Sequence, residues 1–179
     1  MLYTRKGDGG TSGLFGTKER FPKDSPVYEA LGTLDELNSL LGLCRAKASA
    51  HANGGELDIS KEIVRVQEVL FVTQAQIAGA AKEVTQPHVD ALETVIGVLE
   101  SKIENPHAFV IPGATELSAL FDYARAVSRR AERTVVAARV QRPLPPAAGA
   151  YLNRLSSLLY ALARYTAAQE GAKELSPQY

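Results

Sequence analysis

Leu117-Ser118-Ala119-Leu120-Phe121-Asp122-Tyr123-Ala124-Arg125-Ala126-Val127-Ser128-Arg129-Arg130-Ala131-Glu132-Arg133-Thr134-Val135 is the stretch that decides the fold. Leu117, Leu120, Ala124, Val127, Ala131 and Val135 recur at three- and four-residue spacing, the period of a helix with one apolar face. Arg125, Arg129 and Arg133 fall on a second stripe, and Glu132 joins them one turn after Arg129. The helix therefore has a core side and a guanidinium side. Clustered guanidinium groups repel one another. A solvated face with intrahelical Glu–Arg pairs, a salt-bridged subunit interface and a bound anion each relieve that repulsion. Arginine is always charged and meets phosphate oxygens in a two-pronged fork.

The same period recurs on both sides of this stretch. Ser25-Pro26 reads as a helix start, with Ser25 as N-cap. Val27, Ala30, Leu31, Leu34, Leu37, Leu41 and Cys44 then predict a helix over about 26–49. Asp35 lies one turn from Leu31, which predicts a partly buried carboxylate in want of a cation. His51 to Gly55 reads as the break after it. Ile59, Ile63, Val66, Leu70, Ile77 and Ala81 predict a second helix over about 57–82. Thr85-Gln86-Pro87 opens a third, to about 104, stopped by Asn105-Pro106. His107 to Thr115 reads as a short apolar extended piece with a Pro-Gly turn. Thr115 or Gly113 leads into the arginine helix, which runs to about Val140. Gln141 to Pro146 is a stiff loop. Leu152, Leu155, Leu159, Leu162 and Tyr165 mark the last helix, over about 147–170. The tail after Gly171 is expected to be loose, and no strand is expected. Five helices on short loops make an all-α, up-and-down bundle.

The first residues differ. Met1 to Gly16 holds five glycines among small polar and basic residues. Glycine lets backbone N–H groups approach a ligand closely, and successive N–H groups can nest an anion. Thr4, Thr11 and Ser12 add hydroxyls; Arg5, Lys6, Lys18 and Lys23 add charge. No Walker A motif occurs. A flexible tail is the alternative reading.

The totals limit the partners. The chain has 179 residues, with 20 basic against 20 acidic. A general nucleic-acid binder would carry a basic excess, so no nucleic acid is expected. No apolar run reaches the length of a bilayer span, so no membrane is expected either. Cys44 is the only cysteine, which excludes an intrachain disulfide and a thiolate metal site. No pair of facing helices carries the Glu-x-x-His motifs of a di-iron carboxylate bundle and there is no Gly-x-Ser-x-Gly elbow, so no protein metal site and no side-chain nucleophile is expected. Met1 directly before the first motif leads to the expectation of no transit peptide and a cytoplasmic setting. A polyphosphate such as a nucleotide suits the glycine-rich terminus, the arginine helix and Asn153 together. A structural reading, in which the arginines only close interfaces, stays open.

Five blocks, in order, resemble one family. They are Tyr3 to Thr11, Gly32 to Ser39, Phe109 to Gly113, Arg125 to Arg133 and Tyr151 to Ser156. The family is the PduO-type ATP:cob(I)alamin adenosyltransferases. The resemblance implies one domain over 1–179: a nucleotide-binding loop over 1–24, a helical bundle over 25–171 and a tail over 172–179. It implies a homotrimer with active sites between adjacent subunits, and a pocket for ATP and Mg²⁺ ordered by the N-terminal loop. The nucleotide positions it implies are Thr4, Arg5, Lys6, Gly7, Ser12, Gly13, Lys23, Arg129, Arg130, Glu132, Arg133 and Asn153. Arg125 and Asp35 match an intersubunit salt bridge beside the site, and Phe109 an aromatic at the lower face of the corrinoid. With Arg129, these three are the implied catalytic residues. Ala114 and Gln74 depart from glycines usual in the family, and Gly13 from a hydroxyl residue of some members. The implied reaction moves the 5′-deoxyadenosyl group of ATP onto the cobalt of cob(I)alamin. A flavin-dependent reductase and an adenosylcobalamin-dependent enzyme are the implied partners.

Overall fold

The computed structural model describes residues 3–15, 18–50, 57–104 and 108–179. The helices are α1 (Pro26–Ala50), α2 (Ile59–Ile77), α3 (Gln86–Glu100), α4 (Glu116–Ala138) and α5 (Pro146–Gln169). The five expected helices are present, within a few residues of their expected ends except at the C-termini of α2 and α3. The break at His51 to Gly55, the stop at Asn105-Pro106 and His107 lie outside the described residues.

Local chemistry sets the helix ends. Thr115 and Ser118 cap α4 reciprocally: Thr115 Oγ1 accepts from the Ser118 amide at 3.2 Å and Ser118 Oγ from the Thr115 amide at 2.9 Å. Asp58 caps α2 by accepting from the Lys61 amide at 3.0 Å. Helix α2 stops five residues short of the expected end because Gly79 takes a φ of 97° there. The Ala80 amide then bonds back to the Ala75 carbonyl, a Schellman closure that leaves Ala81 exposed outside the helix. Gly171, at φ 65°, ends α5 the same way. Ser25 takes the expected N-cap position, its carbonyl accepting from the Glu29 amide, but its hydroxyl is buried without a hydrogen-bond partner among the described residues and makes no side-chain cap.

Helix α4 packs between α1 and α5; α2 lies against α1 and α3 against α5. The core sits where these three central helices meet. Leu34, Leu37 and Leu41 of α1, Phe121 and Val127 of α4, and Leu152, Leu155 and Leu159 of α5 are buried there. The C-terminal half of α5 is buried nearly all round, from Leu158 to Ala167 apart from half-buried Tyr160, rather than along one side. That leaves Arg164 inside the protein. Among the described residues no helix is long and apolar enough to cross a membrane.

Two expectations are corrected. A small hairpin precedes the bundle: β1 (Thr11–Gly13) pairs antiparallel with β2 (Arg20–Pro22), Ser12 opposite Phe21. Three-residue strands are too short to carry a period-two signal. The tail is also not loose. The Ile111 amide donates to the Leu175 carbonyl at 2.7 Å, and Glu174 pairs with Arg164.

Candidate functional site

On α4 the stripe forms as the spacing requires, but its members differ in their surroundings. Arg129 and Arg133 are exposed and carry no ion pair among the described residues. Arg130 pairs with Glu36 of α1, which raises the guanidinium above its ordinary pKa through a hydrogen bond and opposite charge. Glu132 is oriented by Asn153 of α5, whose Nδ2 donates to Oε1 at 3.0 Å. Arg154 holds Asn153 in turn, donating to its Oδ1 at 2.9 Å while pairing with Glu93 at 2.8 Å. Arg125 is half-buried, and its Nε is 3.9 Å from Asp122 Oδ1 without hydrogen-bond alignment.

An opening of about 610 Å³ is lined by Arg125 and Arg129 of α4, Ser156, Ser157 and Tyr160 of α5, and Glu100 and Ile103. A second, of about 540 Å³, is lined by Phe109, Val110, Asp122, Arg125, Tyr160 and Arg164. Arg125 and Tyr160 border both. A third, of about 300 Å³, lies by Glu132, Arg139 and Gly149, where a side chain at 149 would collide with the Arg139 guanidinium.

Over its described residues, 3–15, the glycine-rich segment folds into a hydrogen-bonded loop. The Asp8 amide bonds to the Arg5 carbonyl, Gly10 to Gly7 and Lys23 to Gly10. Lys23 lies across Gly7, its Nζ 3.1 Å from where a Cβ would stand. Arg5 has a φ of 60°, the one positive φ outside glycine among the described residues, and its guanidinium lies 5.5 Å from the Tyr3 ring centroid. That conformation costs roughly 1 kcal/mol in an L-residue, so the surrounding bonds must hold it. Arg20 supplies them. Its Nη2 donates to the carbonyls of Lys6 at 2.6 Å and Thr11 at 2.8 Å, and its Nε to Thr11 Oγ1 at 3.0 Å. Leu14 is buried in the core, and Arg142 sits over the Phe21 ring at 5.6 Å, so both loop arms are moored to the bundle. Sequence reasoning missed Arg20; its only signal was a basic residue before an apolar one just ahead of α1.

Phe109 is 76% exposed on the segment that leads into α4. Behind it lies a cluster that sequence reasoning also missed. Asp122 accepts from Arg164 Nη2 at 2.6 Å, with side chains only 4% and 3% exposed. Glu174 of the tail approaches Arg164 Nε at 2.6 Å, an ion pair without hydrogen-bond alignment, and Tyr160 stacks its ring 5.0 Å from the guanidinium carbon. One guanidinium thus serves two carboxylates. Burial raises the Glu174 carboxyl above its usual range; Arg164 opposes the shift and Asp122 adds to it. A raised carboxyl favours the folded state at low pH, and that advantage is lost as pH rises through the raised value.

The structure therefore brings Glu132 and Asn153 together, Arg125 and Arg129 to one opening, Arg125 and Phe109 to another, and Lys23 to Gly7. Ser12 and Gly13 lie on β1, and the Lys6 amide donates to Thr4 Oγ1 at 3.4 Å. It does not bury Asp35, which is exposed on α1 and has no ion-pair partner among the described residues. The apolar face of α1 turns Leu34 and Leu37 inward and leaves Asp35 outside. No hydrogen bond or ion pair among the described residues joins the loop to Arg129, Arg130 or Arg133.

Known proteins share this fold. The family model described as Cobalamin adenosyltransferase matches residues 2–166. The corrinoid adenosyltransferase PduO of Salmonella typhimurium is 38% identical over 170 residues, covering 91% of this chain and 48% of the relative. The corrinoid adenosyltransferase of Bacillus subtilis is 36% identical over 174 residues, covering 95% and 88%. The chain thus spans about half the length of the first and most of the second. A variant PduO-type ATP:corrinoid adenosyltransferase from Lactobacillus reuteri, solved with cobalamin and ATP, superposes at a TM-score of 0.88. It is 27% identical, with 100% of each chain covered.

Proposed function

The chain belongs to the cobalamin adenosyltransferase family, and from that premise we propose that it transfers the 5′-deoxyadenosyl group of ATP to the cobalt of cob(I)alamin. The observation that carries this reading is the α4 stripe. Arg129 and Arg133 make no ion pair among the described residues, and beside them stands a Glu132 that Asn153 holds in place. Two guanidinium groups free of ion pairs among the described residues, beside an oriented carboxylate, suit a triphosphate with a sugar and base to fix.

In this reaction cobalt(I) attacks the ribose C5′. A Co–C bond forms, the C5′–O bond breaks, and its electron pair leaves on the triphosphate oxygen. The metal of the corrinoid is the nucleophile, so no activated serine, cysteine or lysine is required. The leaving triphosphate gains negative charge, and Arg129, Arg130 and Arg133 are the groups we assign to stabilise it. Among the described residues no three His, Cys, Asp or Glu side chains converge as metal ligands. Mg²⁺ would enter on the triphosphate oxygens and help neutralise them.

We assign the loop positions Thr4, Arg5, Lys6, Gly7, Ser12, Gly13 and Lys23 to the nucleotide. Asp35 and Arg125 are assigned to a contact between neighbouring copies in a homotrimer. The exposed Asp35, without an ion-pair partner among the described residues, supports this, since an acid on a helix face opposite a partly paired arginine of the next copy closes an interface. Phe109 is assigned to the lower face of the corrinoid. An exposed phenylalanine beside an opening of about 540 Å³ can displace the lower axial ligand and exclude water, which makes Co(II) easier to reduce. A flavin-dependent reductase would supply that electron, an adenosylcobalamin-dependent enzyme would take the product, and the cytoplasm suits both.

Incubation with ATP, Mg²⁺ and chemically reduced cobalamin tests the proposal. The expected result is a light-sensitive Co–C bond with one triphosphate released per turnover. Tight binding of ATP without conversion would make the protein a carrier, and absence of nucleotide binding would reduce the arginines to interface groups. Either outcome overturns the reading.

A further inference from the structure

The segment between Ala108 and the Thr115 cap carries Phe109, yet little in the bundle holds it. Among the described residues only one backbone–backbone hydrogen bond tethers Ala108 to Ala114, the bond from the Ile111 amide to the Leu175 carbonyl at 2.7 Å. Leu175 belongs to the tail beyond α5, and the tail needs an anchor of its own. Gly171 turns the chain at φ 65°, and Glu174 then reaches Arg164 at 2.6 Å. Arg164 is held from several sides: it is buried, bonded to Asp122 at 2.6 Å and stacked on Tyr160. Asp122, Arg164 and Tyr160 all line the opening that Phe109 borders. Arg125, the remaining charge there, stands 3.9 Å from the other oxygen of Asp122.

We propose that Glu174 is a positioning residue for the corrinoid face: by pinning the tail to Arg164, it lets Leu175 fix the segment that presents Phe109. The inference rests on the reading of Phe109 given above. Glu174 is not among the residues assigned to the nucleotide above. Glu174 lies outside the helices, so its substitution leaves the bundle folded. Arg164 is a poorer target because its loss strands a buried charge.

The test uses the full chain and four proteins: wild type, Glu174→Ala, Glu174→Gln and Phe109→Ala. Cob(II)alamin is bound in the presence of ATP, and its electron paramagnetic resonance spectrum gives the fraction without a lower axial ligand. Hydrogen exchange at the Ile111 amide reports the tail contact directly. For Glu174→Ala, Ile111 exchange should rise about tenfold, and the ligand-free fraction and turnover from Co(II) with reduced flavin should fall about tenfold or more, as a small misplacement of a positioned group does. Turnover with supplied Co(I) and the KM for ATP should stay within about twofold. Glu174→Gln should fall between, because it keeps a polar contact and loses the charge. A wild-type Co(II) spectrum in Glu174→Ala, with an altered one in Phe109→Ala, would overturn this inference alone. A wild-type spectrum in Phe109→Ala would overturn the reading of Phe109 and the inference with it.

Discussion

Replacing Asp122 by alanine probes the buried cluster behind the candidate site. The Asp122 side chain is 4% exposed and accepts from Arg164 at 2.6 Å. Removing one partner of a buried ion pair typically costs about 3–5 kcal/mol, because the other charge is left unpaired. Here Glu174 remains 2.6 Å from the guanidinium and covers part of the loss. The expected destabilisation is therefore about 2–3 kcal/mol. In a chain of this size each kcal/mol moves the thermal midpoint by about 2–4 °C, so the midpoint should fall by about 5–10 °C. Thermal unfolding followed by circular dichroism measures it. The Asp122→Ala/Arg164→Met double variant removes both charges and fills the space with an apolar chain. It should lose at least about 2 kcal/mol less than the sum of the single losses. A shift under about 2 °C for Asp122→Ala, or strictly additive losses, would refute the claim that this pair is a coupled, buried unit.

The other predictions concern the site. Arg129→Ala should lower turnover about 10²–10³-fold, as loss of one transition-state contact does, while leaving the thermal midpoint within about 2 °C. A steady-state assay and a melt on the same sample check both. Arg20→Ala removes three hydrogen bonds that fold the N-terminal loop; the KM for ATP should rise about tenfold or more with the bundle intact. Cys44 is buried, and burial pushes its thiol up to about 12, so a thiol reagent should not label it at neutral pH until the chain is unfolded.

The helices were legible because long amphipathic segments repeat their period many times. Val27 to Cys44 and Leu117 to Val135 each state the same face over several turns. The hairpin was not legible, because three residues per strand give no period to read, and because what fixes it is a side chain, Arg20, reaching carbonyls 9 and 14 residues away. The docked tail was missed for a similar reason. Its anchor, Arg164, looks like an ordinary charge in a helix until α5 proves to be buried on nearly all sides. Asp35 was misjudged on spacing alone: one turn from Leu31 is not the same face, and the half-buried Leu31 marks the edge of the stripe rather than its centre. Within the stripe on α4 the spacing was sufficient to group the arginines. It could not tell that Glu36 would engage Arg130 while Arg129 and Arg133 stay without a carboxylate among the described residues.

Subunit complementation tests the central claim most directly, that the arginines of one copy and Asp35 of the next build one site. Arg129→Ala and Asp35→Ala proteins are each assayed alone, then mixed under conditions that exchange subunits. Random assembly gives about a quarter of the interfaces an intact Arg129 from one copy and an intact Asp35 from its neighbour. The account predicts that the mixture recovers adenosyl transfer to about a quarter of the wild-type rate, well above either variant alone. A mixture no more active than the mean of the two variants would contradict it.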